Sequence, residues 1–152
     1  MGAHGSCSTL GEDIWESKIK SQGEVGVVFG VYSDVFGEGK RRILNQTRRT
    51  MVYFDRYVKP LLPNNGTILD AGIGPLARFS VEFAKRGFGV DGLDISKSTL
   101  AFAKKHAGPY GKTIQFVHGD MTKYISKHAY SLIFCFETFF HIPPPSWVSH
   151  YD

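Results

Sequence analysis

The sequence is poor in the features that mark secreted, membrane-spanning and metal-bearing chains. Two cysteines occur in 152 residues, Cys7 and Cys135. One lies in a polar N-terminal tail and the other in an apolar run. That excludes a disulfide framework and points to a reducing, cytoplasmic setting. No apolar run approaches the roughly 20 residues that a membrane-spanning helix needs. The N-terminus lacks the apolar stretch of a secretory signal, so no membrane association is expected. Six histidines and two cysteines fall into no metal-ligand spacing. Internal repeats and low-complexity segments are missing too. Charge of one sign is scarce: a net +4 tolerates an acidic partner without calling for nucleic acid.

What is present is enough chain for one domain with a real core. Met1–Ser6 reads as an added leader and is left out of the fold reasoning. Residues 7–26 are polar, with Ile14, Trp15 and Ile19 as apolar islands and a short helix expected over about 11–20. Residues 27–40 are aromatic and glycine-spaced. They suit a lid over a site, or packing of the aromatics against the domain. From Lys40 to Val58, Leu44, Thr47, Met51, Phe54 and Val58 recur at helical steps of three and four. Arg41, Arg42, Arg48, Arg49 and Arg56 occupy mostly the other positions. Such a basic face can bind RNA, but a solvated surface is the more ordinary use.

The chain is organised around Thr67–Ala77. Thr67–Leu69 is an apolar run fit for a buried parallel strand, with Asp70 at its end. Gly72 and Gly74 then permit a tight turn and let a ligand lie against bare backbone. Pro75 suits the first turn of a helix. Leu76, Phe79, Phe83 and Ala84 share a helical face that runs to Arg86 and is closed by Gly87. Unpaired N–H groups and the helix dipole make such a turn a nucleotide site. Gly89–Asp94 reads as the next strand, and Asp94 follows Gly74 at the spacing of a ribose-binding acid. An ordinary turn with Asp94 as a helix cap is the plainer alternative.

Ser96 is the expected N-cap of a helix over Lys97–His106. Thr113–His118 alternates as a third strand and ends at Gly119-Asp120-Met121. One helical turn is expected over Thr122–Lys127. Tyr130–Phe136 is almost wholly apolar, as a strand covered on both faces would be. Alternating strands and helices imply a parallel sheet with right-handed crossovers. Asp70, Asp94 and Asp120 then stand at three strand ends and are expected to line one crevice. Three acids would repel a phosphate. They suit a ligand with hydroxyls, an amine and a positive charge.

In Leu69–Gly74, Gly92–Ser96, Gly119–Met121, and Tyr130–Cys135 with His141–Pro143, the sequence resembles the class I S-adenosylmethionine-dependent methyltransferases. The resemblance covers roughly residues 65–145. It implies a Rossmann-like α/β fold, with a tail and lid over 1–40 and the cofactor domain over 41–152. About four parallel strands in the order 3-2-1-4 are expected, without the C-terminal strands of the full seven-stranded fold. It implies S-adenosyl-L-methionine as cofactor and a small-molecule methyl acceptor. Ala71, Gly72 and Gly74 would pass under the methionine part, with Asp70 anchoring the loop and the cofactor's amino group. Asp94 would hold the ribose. Ile95 and Met121 would sandwich the adenine, and Asp120 would accept from its amine. Phe136 would lie near the methyl group. His141 is the candidate base, against a merely structural histidine. Glu137 would touch substrate or cap a helix, and Tyr32 would reach the cofactor carboxylate.

Two departures stand out. Leu76 replaces a third glycine, and Ser131 replaces the acid usual before the fourth strand. No Asp/Asn-Pro-Pro-Tyr follows that strand, which disfavours the enzymes that methylate amino groups of bases and glutamine. The fourth strand would be an exposed apolar edge, inviting a homodimer or a second chain. Phe136, Phe139, Phe140, Ile142 and Trp147 would serve that interface. Two other classes stay open: an NAD(P)-binding Rossmann domain, since Gly72–Ala77 satisfies G-x-G-x-x-G/A, and a non-catalytic partner-binding module.

Overall fold

The computed structural model describes residues 16–17 and 38–142, with backbone alone for 38–40 and for Phe140. The aromatic 27–37 stretch, Tyr32, Cys7, Pro143–Pro145 and Trp147 lie outside the described residues. So does the helix expected over 11–20, apart from helical Glu16 and Ser17.

Four parallel strands form one sheet: β1 (Thr67–Ala71), β2 (Gly89–Asp94), β3 (Ile114–His118) and β4 (Leu132–Phe134). Their order is β3-β2-β1-β4, as expected. The register sets Asp70 beside Gly92 and Phe134, and Asp94 beside His118. The helices are α1 (Glu38–Tyr53), α2 (Arg78–Lys85) and α3 (Lys97–Ala107). A π-helical turn (Phe54–Val58) and a 3-10 turn (Lys59–Leu61) extend α1. Its buried line runs through Ile43, Met51 and Phe54, whereas Leu44 is 60% exposed. The expected line was therefore one residue off at its start. Steps of four from Ile43 through half-buried Thr47 to Met51 keep one face inward.

All three helices pack on the same face of the sheet. Met51 and Phe54, Phe79 and Phe83, and Leu100 and Ala103 meet Ile68, Val90 and Ile114 in one core. Phenylalanines dominate it: the Phe83 ring lies 5.0 Å from Phe54 and 5.2 Å from Phe134. On the other face, Leu69, Ala71 and Leu93 are buried under Val117, Met121, Tyr124 and Tyr130. No helix among the described residues covers that face. Asp91 points into it and takes the Tyr130 hydroxyl at 2.7 Å, with His128 Nε2 at 3.3 Å.

Three expected elements differ. The fourth strand has three residues, because the chain leaves the sheet after Phe134. Ile133 is 65% exposed, so that strand is not covered on both faces here. Thr122–Lys127 forms no helix. Asp120 Oδ1 accepts from both the N–H and the hydroxyl of Thr122, which favours a turn over a helix start. Finally, α2 begins at Arg78 rather than at Pro75.

Candidate functional site

The late start of α2 follows from a turn over Gly74–Ala77, in which the Ala77 N–H donates to the Gly74 carbonyl at 3.2 Å. Pro75 takes the second position of that turn, where its fixed φ fits. Ala77, at φ 47°, sits in the left-handed region that costs an ordinary residue about 1–2 kcal/mol. Ahead of the turn, the N–H groups of Gly72 and Ile73 both donate to the Leu93 carbonyl, at 2.8 and 3.0 Å. The loop is thereby stitched to the end of β2.

The two loop glycines divide the role expected of them. A Cβ on Gly72 would fall 2.2 Å from the Thr138 hydroxyl oxygen, so this bare backbone admits a side chain of the chain itself. A Cβ on Gly74 would meet nothing within 4 Å. Both have positive φ, 84° and 66°. Gly74 is the one that faces open space.

Asp94 stands directly across from it. Its Oδ2 accepts from the Gly74 N–H at 3.2 Å and its Oδ1 from the Ser96 N–H at 3.0 Å. Burial pushes its pKa up to about 6, against the pull of those N–H bonds. The Ile95 N–H adds a third such bond, so of a carboxylate's roughly four acceptor positions about one remains for a hydroxyl. Ser96 caps α3 as expected, its hydroxyl accepting from the Thr99 N–H at 3.0 Å. Glu16 joins that cap by accepting from the Ser98 N–H at 3.0 Å, which suits an anion at a helix start.

Asp70 does not line the crevice. It is 2% exposed and accepts the Ser80 hydroxyl at 2.6 Å, tying β1 to α2 from behind the loop. Burial raises its pKa to about 6, and the charge of Asp94 adds to the rise. Ala71, also buried, ends β1 at the loop. Asp120 lies on the rim: the Gly119 N–H donates to the Asp94 carbonyl at 3.0 Å, so the turn that leaves β3 is tied to β2's end. Ile95 is half-buried, its carbonyl 3.0 Å from His118 Nε2. Met121 packs toward Leu69, Ala71 and Leu93. Gly74, Asp94, Ile95 and Asp120 thus share the edge formed by the ends of β1, β2 and β3.

Past β4, Phe136 is half-buried against Phe79, ring centroids 4.9 Å apart. Thr138 covers Gly72. His141 is exposed in a 3-10 turn (Phe139–His141), its N–H bonded to the Thr138 carbonyl at 2.9 Å. Glu137 precedes Thr138, the N-cap of that turn, and its carboxylate meets Arg78 and Gln46. Thr138, Ser80, Arg78 and Gln46 were not singled out from the sequence. Their contacts join residues 10 to 91 positions apart, and no spacing rule reaches across such gaps.

The family described as "Methyltransferase domain" matches residues 68–151. The chain is 33% identical over 85 residues to the ubiquinone biosynthesis O-methyltransferase of Salmonella newport, covering 55% of this chain and 35% of that protein. The same-named protein of Salmonella arizonae is 32% identical over 85 residues, with the same coverage. The chain therefore spans about a third of the length of the curated relatives it matches. Among solved structures, magnesium protoporphyrin IX methyltransferase from Synechocystis, with bound S-adenosylmethionine, aligns with a TM-score of 0.68 at 23% identity. That alignment covers 99% of this chain and 72% of the other.

Proposed function

The chain belongs to the methyltransferase-domain family, and on that premise we propose that it binds S-adenosyl-L-methionine and forms the cofactor part of a methyltransferase with a small-molecule acceptor. One observation carries this reading. The Asp94 carboxylate takes the N–H of Gly74, 20 residues earlier, and keeps acceptor capacity for a hydroxyl where the loop backbone is open. The residues fit the group. Gly74 leaves room that a side chain would fill, and Asp94 suits ribose hydroxyls. The carboxylate of Asp94 at the rim favours a cationic ligand over a phosphate. The dinucleotide and non-catalytic alternatives draw no support from the family match.

Bound there, the cofactor supplies an activated methyl group on a sulfonium centre. The chain's own residues then act by position. Asp94 fixes the ribose, Ile95 and Met121 flank the adenine, and Asp120 accepts from its amine through the oxygen that Thr122 leaves unused. Ala71 and Gly72 border the methionine part, and Asp70 steadies the loop behind them. Phe136 borders the reacting end. His141 is the base when the acceptor must lose a proton. Holding acceptor and methyl donor in line supplies most of the acceleration in such a displacement. Cytoplasmic placement belongs to this proposal and rests on the exposed, unbridged thiol of Cys135. So does pairing of a second copy along β4, where Ile133 is exposed.

Calorimetric titration with S-adenosylhomocysteine and, separately, NAD tests the reading. We expect binding of the first and not the second, and a loss of at least about tenfold, or about 1.4 kcal/mol, in Asp94→Ala. A folded chain that binds NAD instead, or an Asp94→Ala variant with unchanged affinity, would overturn it.

A further inference from the structure

We infer that Arg78 is a positioning residue for the end of the crevice that takes the cofactor's amino-acid group, acting through a closed ring of hydrogen bonds with Gln46 and Glu137. Arg78 Nη1 donates to Gln46 Oε1 at 2.8 Å. Gln46 Nε2 donates to Glu137 Oε1 at 2.9 Å. Arg78 Nη2 closes the ring on Glu137 Oε2 at 3.3 Å. Three separate elements are joined: α1, the first residue of α2 directly after the glycine loop, and the segment leaving β4.

The ring sits where the chain needs holding. Glu137 has φ 56°, a left-handed conformation that a non-glycine residue adopts only when its surroundings impose it. Its neighbours on either side are the two residues that shape this end. Phe136 lies under the Arg78 guanidinium, 5.4 Å from ring centre to carbon, and Phe79 at 4.6 Å completes the stack. Thr138 rests on Gly72, its hydroxyl 3.4 Å from the Gly72 carbonyl. Fixing Glu137 therefore fixes Phe136 and Thr138 against the loop.

The ion pair itself adds little to stability. The Arg78 side chain is 18% exposed and that of Glu137 36%, and such pairs are worth about 0–1 kcal/mol. Its effect belongs in the shape of one end of the crevice. The ribose end is built independently from Asp94, Gly74 and Ser96. A lysine at position 78 keeps the charge but cannot span Gln46 and Glu137 with one planar fork.

This inference rests on the cofactor reading above, and two ligands separate them. S-adenosylhomocysteine fills both ends; 5′-methylthioadenosine lacks the amino-acid group and relies on the ribose end. In the full 152-residue chain, Arg78→Ala should weaken S-adenosylhomocysteine about tenfold, or about 1.4 kcal/mol, and 5′-methylthioadenosine less than about twofold. Arg78→Lys should restore less than half of that loss. The melting temperature should move little. Glu137→Gln, an exposed and nearly isosteric change, repeats the test should Arg78→Ala not fold. Equal weakening of both ligands would assign Arg78 a general structural role and overturn the inference. Unchanged affinity for both would overturn it as well. A wild-type chain that binds neither ligand removes the cofactor reading, and this inference with it.

Discussion

The two faces of the sheet are closed in different ways. On one, three helices bring phenylalanines together: Phe79 and Phe83 meet Phe134 at 4.9 and 5.2 Å, and Phe54 meets Phe88 at 5.9 Å. On the other, three buried residues lie beneath a connecting segment that polar groups hold down. Tyr124 and Tyr130 are joined at 2.9 Å, and Tyr130 is joined to Asp91. Each face also buries an acid. Asp70 is answered by Ser80 from a helix, and Asp91 by Tyr130 from a loop. A parallel sheet needs cover on both sides. Here apolar bulk does that work on one side and directional bonds on the other, and the candidate site lies along their common rim.

Substitution tests the contrast most severely. Phe83→Ala should cost about 3–5 kcal/mol, because the ring is fully buried among others that cannot collapse onto the gap. Leu93→Ala, equally buried on the other face, should cost about 2–3 kcal/mol, since the Val117–Tyr130 side can relax. Urea unfolding measures both; equal losses would erase the distinction.

Acidity is the next lever. Asp70 and Asp94 belong to the helix side, and each has a pKa raised to about 6. The folded chain thus holds protons that the unfolded chain releases near pH 4. These groups favour the folded state below about pH 4, and that advantage is lost as pH rises to about 6. The loss should be on the order of 2–3 kcal/mol for each acid. Asp94→Asn should flatten the fall, as read from melting temperatures between pH 4.5 and 7.5. A ligand that favours the ionised acids should release protons near pH 6, visible as a buffer-dependent binding enthalpy.

The smallest effect concerns the thin side. Ile133→Lys should change stability by less than about 0.5 kcal/mol, because the residue is already in water. Sedimentation should nonetheless show it dissolving a wild-type dimer. A wild-type chain that is monomeric removes β4 as a pairing edge.

Much of this arrangement was legible in the sequence because it is local. The strands and helices followed from alternating periodicities and their order from the family resemblance, and the step from Gly74 to Asp94 proved to be a hydrogen bond. The misreadings also have physical sources. Leu44 and Ile43 are both large and apolar, so only packing decides which turns inward. Pro75 is at home in a helix start and in a turn, and the neighbouring Ala77 conformation decided for the turn. Asp70 looked like a ligand contact because its position in the motif does not reveal Ser80 behind it. The Arg78–Glu137 pair joins residues 59 positions apart and leaves no periodic trace.

The shared carbonyl of Leu93 has a mechanical consequence. Because it grips the amides of Gly72 and Ile73 together, the bend cannot swing open one peptide at a time. Any shift at the end of β2 is then passed to two successive peptides of the bend at once, so the strand and the bend move as one piece.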